Sequence, residues 1–187
     1  MGGATLVLLL GLVELLDATP AAGAASQPGT VSCKGLSGTI RFDPPLKSGG
    51  TAPEVLTGRV TVDDCTAKGG AKPRSGKATI VISAAANTCT TLESGTTVPI
   101  TFVVKWSKDG TSSITFPGFT PVAAATAGFS LGGAGTTVSG SYPGSDAGAS
   151  STATVVSDLT TKQIVGVCGS EVGLKSLKIV SGTLSLG

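Results

Sequence analysis

Ile100-Thr101-Phe102-Val103-Val104-Lys105-Trp106 is the stretch on which the fold turns. Side chains on a strand alternate between two faces, so Ile100, Phe102, Val104 and Trp106 share one face. Thr101, Val103, Lys105 and then Ser107 share the other. No other apolar row in the chain is as long or as bulky, and it should face the interior. Asp109-Gly110 follows at once, and Gly readily supplies the positive φ of a tight turn. A hairpin to Ser112–Phe116 is expected.

The same period recurs on either side. Leu56, Gly58, Val60 and Val62 alternate with Thr57, Arg59, Thr61 and Asp63. Ala78, Ile80 and Ile82 alternate with Thr79, Val81 and Ser83. Shorter strands read at Thr39–Phe42, Thr136–Tyr142, Ala153–Val156, Leu177–Val180 and Thr183–Leu186. Pro44-Pro45 should end the first of these. Lys47 to Pro53 and Gly69 to Ser75 read as loops. Phe116 to Gly135 reads either as a long excursion or as a bulged strand. No capped helix is read. The expectation is one all-β antiparallel domain of about eight or nine strands, a barrel or a sandwich.

Composition agrees. Gly, Ala, Thr, Ser and Val dominate, and Gly, Thr and Val are poor helix formers. Hydrophobic residues make up 40% and the net charge is only +2, which is too apolar for a disordered chain. Aromatics are only 4%, so the core must be aliphatic and thin for its length. Histidine is absent. That removes Ser-His-Asp and Cys-His catalysis and the usual zinc sites.

Leu6 to Val13 reads LVLLLGLV, an apolar run followed by small residues with Ala22-Gly23-Ala24. This pattern fits a secretory signal peptide over 1–26, cut after Ala24 or Ser26, with the β-domain occupying 27–187. No Lys or Arg precedes the run, and Glu14 and Asp17 follow it, so a basic leader segment is expected upstream. Without Glu14 and Asp17, 13 cations face 9 carboxylates, about +4. That is too few and too scattered for a nucleic-acid partner. No later stretch is apolar for the length of a membrane span.

The four cysteines are Cys33, Cys65, Cys89 and Cys168. An even number in an exported chain implies disulfides, in one of three connectivities. Sequential pairing, Cys33–Cys65 and Cys89–Cys168, needs the least chain crossing and is favoured. No C-x-x-C is present, so a redox or zinc-knuckle reading has no support.

Cys33, Gly38-Thr39-Ile40-Arg41-Phe42-Asp43-Pro44-Pro45-Leu46, Gly58-Arg59-Val60-Thr61-Val62-Asp63-Asp64-Cys65, Cys89-Thr90-Thr91-Leu92 and Val104-Lys105-Trp106 resemble an uncharacterised family of small exported four-cysteine β proteins of actinobacteria. The resemblance covers the first half of the domain best and continues through Cys168 to the closing Gly-Thr-Leu strand. It implies export and four cysteines in a bacterial protein. It assigns no catalytic residue.

Several motifs invite a sharper reading. Gly128-Phe129-Ser130-Leu131-Gly132 matches G-x-S-x-G, but that elbow needs a strand–turn–helix and a histidine. In a chain this rich in Gly and Ser a chance match is expected. Ala71 to Ala78 approaches a P-loop but lacks its first glycine and its magnesium-binding hydroxyl. No S-x-x-K occurs. Asp63-Asp64 lacks further oxygen ligands at calcium spacing and reads as a strand-end turn. Asn87-Thr88-Cys89 is a poor glycosylation match. Trp106 and Tyr142 read as core packing rather than ligand platforms. Lys68, Lys72, Arg74 and Lys77 put four cations within ten residues. They form a solvated loop, or a weak candidate binding site for an anionic envelope polymer or lipid headgroup.

No catalytic residue, metal site or cofactor is expected. The reading is an exported, non-catalytic, envelope-associated or small-ligand-binding module. Its partner is an anionic envelope component or a small apolar molecule, since closed β-structures offer an interior. Two alternatives stay open: a surface protein without a pocket, and an enzyme of unfamiliar type using carboxylates or Lys.

Overall fold

The structure is a computed structural model and describes residues 30–68, 74–95, 99–107, 110–122, 128–140 and 150–187. The leader assigned to 1–26, Lys72 and Tyr142 lie outside the described residues. In chain order the elements are β1 Thr30–Leu46, β2 Glu54–Lys68, β3 Gly76–Ala84, α1 Thr90–Ser94, β4 Ile100–Trp106, β5 Thr111–Phe116, β6 Thr120–Pro121, β7 Ser130–Gly140, β8 Ser150–Ser157, α2 Thr161–Cys168 and β9 Leu174–Leu186.

All strand pairs are antiparallel. The order β5-β4-β3-β2-β1-β9-β8-β7 closes on itself, because β5 also pairs with β7. The fold is therefore an eight-stranded barrel and not a sandwich. The short β6 adds beside the start of β7. Closure removes the long free edges that an open sheet would present to template aggregation.

The decisive stretch behaves as its period requires. Ile100, Phe102, Val104 and Trp106 are all buried, while Thr101, Val103 and Lys105 are exposed. Asp109 of the expected turn lies outside the described residues; Gly110, directly before β5, takes φ +92°, and the Trp106 N–H donates to the Gly110 carbonyl at 3.0 Å. The Trp106 indole N–H donates to the buried Ser112 hydroxyl at 2.8 Å. Around the outside the exposed positions are mostly polar, among them Arg41, Thr57, Arg59, Thr61, Lys77, Thr79, Lys105 and Lys178. A membrane-spanning barrel has the reverse arrangement, with apolar side chains outward.

Three readings are corrected. Pro44-Pro45 does not end the first strand: β1 runs through it to Leu46, and the pairing with β9 changes register between Arg41 and Leu46. A register irregularity is where a strand tolerates residues without an N–H. The strands at Leu177–Val180 and Thr183–Leu186 are one strand, β9. Two helices are present where none was read. α2 opens with a capping box, in which the Gln163 N–H donates to the Thr160 hydroxyl at 3.3 Å and the Thr160 N–H to Gln163 Oε1 at 2.8 Å.

The disulfides are Cys33–Cys65 and Cys89–Cys168, the sequential pairing. Cys33 and Cys65 sit directly opposite one another on β1 and β2. Cys89–Cys168 ties the approach to α1 to the end of α2.

Candidate functional site

The barrel interior is filled unequally. At the end holding the Cys33–Cys65 bridge, Val31, Val62, Val104, Ile114, Leu184 and Leu186 pack without exposure to solvent. At the other end the same inward rows continue as Ile40, Leu56, Ile82, Leu131 and Val155, which are only partly buried. They are inward by strand parity, and their residual exposure is to a void.

That void is a cavity of about 110 Å³, partly open to solvent. Its walls come from seven of the eight barrel strands, through Ile40, Phe42, Leu56, Ile82, Phe102, Leu131, Val155 and Leu177 among others, with Leu92 of α1. Phe119, which follows β5, completes the wall. Its ring lies 5.8 Å from Phe102 and 5.0 Å from Phe116, and Phe102 and Phe116 meet edge to face at 5.3 Å. This aromatic cluster concentrates much of the chain's scarce aromatic surface beside the cavity.

A second apolar cluster covers this end of the barrel. It joins Phe42 and Leu46 of β1, Phe129, Ile164 and Cys168 of α2, Cys89, and Leu174 and Leu177 of β9. Ile164 and Cys168 are four apart, so one face of the short helix is buried. The surrounding loops are cross-linked. The Asn87 side chain accepts from the Ala52 N–H at 3.0 Å and donates to the Pro45 carbonyl at 2.8 Å. The Ser48 N–H donates to the Cys168 carbonyl at 2.8 Å. The cap is thus built on strands, a disulfide and a buried amide, not on free loops.

Among the residues lining the cavity one is titratable. Glu54 opens β2 with its side chain on the inward parity of Leu56 and Gly58, and it is only 5% exposed. Its Oε1 is buried and has no hydrogen-bond partner among the described residues. Burial among apolar neighbours raises its pKa from 4.5 to about 7. The lining therefore offers dispersion contacts from many side chains and one polar atom able to recognise a donor. The sequence reading did not single out Glu54. It began the strand at Leu56, although continuing the parity back by two positions would have placed a carboxyl indoors.

The residues that were singled out are scattered. Lys68, Arg74 and Lys77 are exposed at the end of β2 and the start of β3. By register this is the packed end of the barrel, away from Glu54. The structure does not bring them to the cavity. Asp63-Asp64 lies inside β2 and not at a strand-end turn, with Asp64 at φ +51°, a conformation Asp tolerates better than most residues. Ser130 is buried at the start of β7, with no strand–turn–helix elbow. Asn87 is buried with its amide engaged, which leaves no room for glycosylation. No group of three or more His, Cys, Asp or Glu residues able to hold a metal occurs among the described residues. No helix among them is long and apolar enough to cross a membrane.

No protein-family model, curated protein or solved structure matches this chain.

Proposed function

We propose that this chain is an exported, non-catalytic β-barrel that holds a small apolar molecule in its helix-capped end. The observation that carries the reading is the cavity beside the Phe102–Phe116–Phe119 cluster. Small eight-stranded barrels are either filled by side chains or hold one small ligand. Here one end is filled and the other is not. A dry apolar cavity of comparable size, about 150 Å³, binds benzene in an engineered case, so a ring or a short aliphatic group suits the volume. The two disulfides, the water-facing outer wall and the Leu6–Val13 leader pattern support a place outside the cytoplasm, free or at the envelope.

Titration of the oxidised chain with toluene, followed by methyl chemical shifts, tests this. Shifts should concentrate on Ile40, Ile82 and Leu131 and spare Ile114 and Leu186. Ala84→Leu places three extra carbons at the cavity wall and should abolish the response. Absent shifts, or shifts spread evenly over both ends, would favour a surface protein without a ligand.

A further inference from the structure

We infer that the ligand carries a protonated amine at one end of its apolar body, and that this group pairs with Glu54 Oε1 in the cavity wall. The inference rests on the reading of the cavity as a ligand site and specifies its chemistry. A buried acceptor without a partner is costly, and native structures rarely keep one without a reason. Glu54 Oε1 is such an atom, and its residue belongs to an otherwise apolar cavity wall. The cavity wall it shares includes Phe42 and Leu46 from β1, Ile82 and Ala84 from β3, Leu92 from α1 and Leu177 from β9. None can donate a hydrogen bond or carry charge, so among the described residues no lining side chain satisfies the carboxyl.

The position of Glu54 favours an ammonium over other heads. It is the first residue of β2, directly after the exposed residues 51–53. The cavity is partly open to solvent, so a cation held in it is not fully desolvated. A hydroxyl would satisfy the acceptor but leave the carboxylate charge uncompensated. A carboxylate would add a second like charge. The charge-assisted bond is about twice as strong as a neutral one.

The experiment compares toluene, benzyl alcohol, benzylamine and benzoate binding to the oxidised chain by calorimetry, at about pH 8 and about pH 5.5, on either side of the Glu54 titration. At the higher pH benzylamine should bind at least about ten-fold tighter than toluene, with benzoate weakest. That advantage should collapse at the lower pH, where Glu54 is neutral, while toluene affinity stays level. Glu54→Gln should bind benzylamine and toluene alike. If that variant does not fold, the pH profile of the native chain decides alone. Equal affinity for benzylamine and toluene at the higher pH overturns the amine but leaves the apolar site standing. Failure of toluene itself to bind overturns both.

Discussion

Glu54 couples the cavity to stability as well as to recognition. In the unfolded chain its carboxyl titrates near 4.5, and in the folded barrel near 7. Between those values the folded state holds a proton that the unfolded state has already released. Stability must therefore fall as pH rises through that window and level off above it. The full effect is at most about 3.5 kcal/mol, from about 1.4 kcal/mol per pH unit separating the two titrations. Urea denaturation from about pH 4.5 to about pH 8 should show this decline in the native chain. Glu54→Gln should flatten it and leave the variant the more stable protein at the upper end. A native profile that rises across the window would mean the carboxyl is not buried. The same residue marks a limit of reading by motif. Lys68, Arg74 and Lys77 stand out because they cluster in sequence, and they end up on the solvent side of the packed end. Glu54 has no cluster, and only its strand parity places it indoors.

At the scale of elements, the barrel's longest strands hide behind changes of phase. On β1 the buried parity passes from Cys33 to Leu36, and on β2 from Val62 to Cys65. On β9 it passes from Ile179 to Gly182, where the register with β8 also shifts. A period-two reading stops at each slip, so one strand of 13 residues reads as two. Gly182 sits at such a slip, where a Cβ would collide with the Thr154 carbonyl and lie 3.1 Å from the Leu36 Cβ. Gly182→Ala should cost about 1–3 kcal/mol, as overpacking does. Gly166, inside α2, faces nothing within 4 Å. Gly166→Ala should instead stabilise by up to about 1 kcal/mol, the helix-propensity difference. Thermal or chemical denaturation of the two variants should move in opposite directions, and parallel losses would count against this packing of β9. The helix itself escaped notice because eight residues hold too little periodicity. The Thr160-Gln163 capping box was its one available signal.

For the molecule as a whole, the two disulfides divide the labour between the ends. Cys33–Cys65 joins neighbouring strands at the packed end. Cys89–Cys168 spans 79 residues and pins α2 over the cavity end. Each closes a long loop, so replacing either pair by serines should cost roughly 4 kcal/mol. Their effects on binding should differ. Removal of Cys89–Cys168 should weaken toluene affinity as the cap loosens, and removal of Cys33–Cys65 should leave it intact wherever the variant is folded. The converse pattern would place the ligand at the wrong end of the barrel.

Much of this architecture follows from local chemistry. Period-two rows of Val, Ile and Phe against Thr and Lys specify half-buried strands. Gly and Pro spacing separates most of them, and an even set of cysteines in a chain whose start reads as a leader points to bridges. These are properties of single strands and of composition, which neighbouring residues determine. Closure into a barrel is not among them, because it depends on β5 meeting β7. The residues concerned, Ser112 to Thr115 and Thr136 to Gly140, are Ser, Thr, Ile, Val and Gly that would serve a sandwich edge equally well. The cavity is likewise a tertiary property. It exists because inward rows from seven strands, each ordinary in sequence, surround a volume their side chains do not fill. Strand parity around Glu54 points its side chain inward, but the burial that raises its pKa comes from strands and a helix distant in the chain.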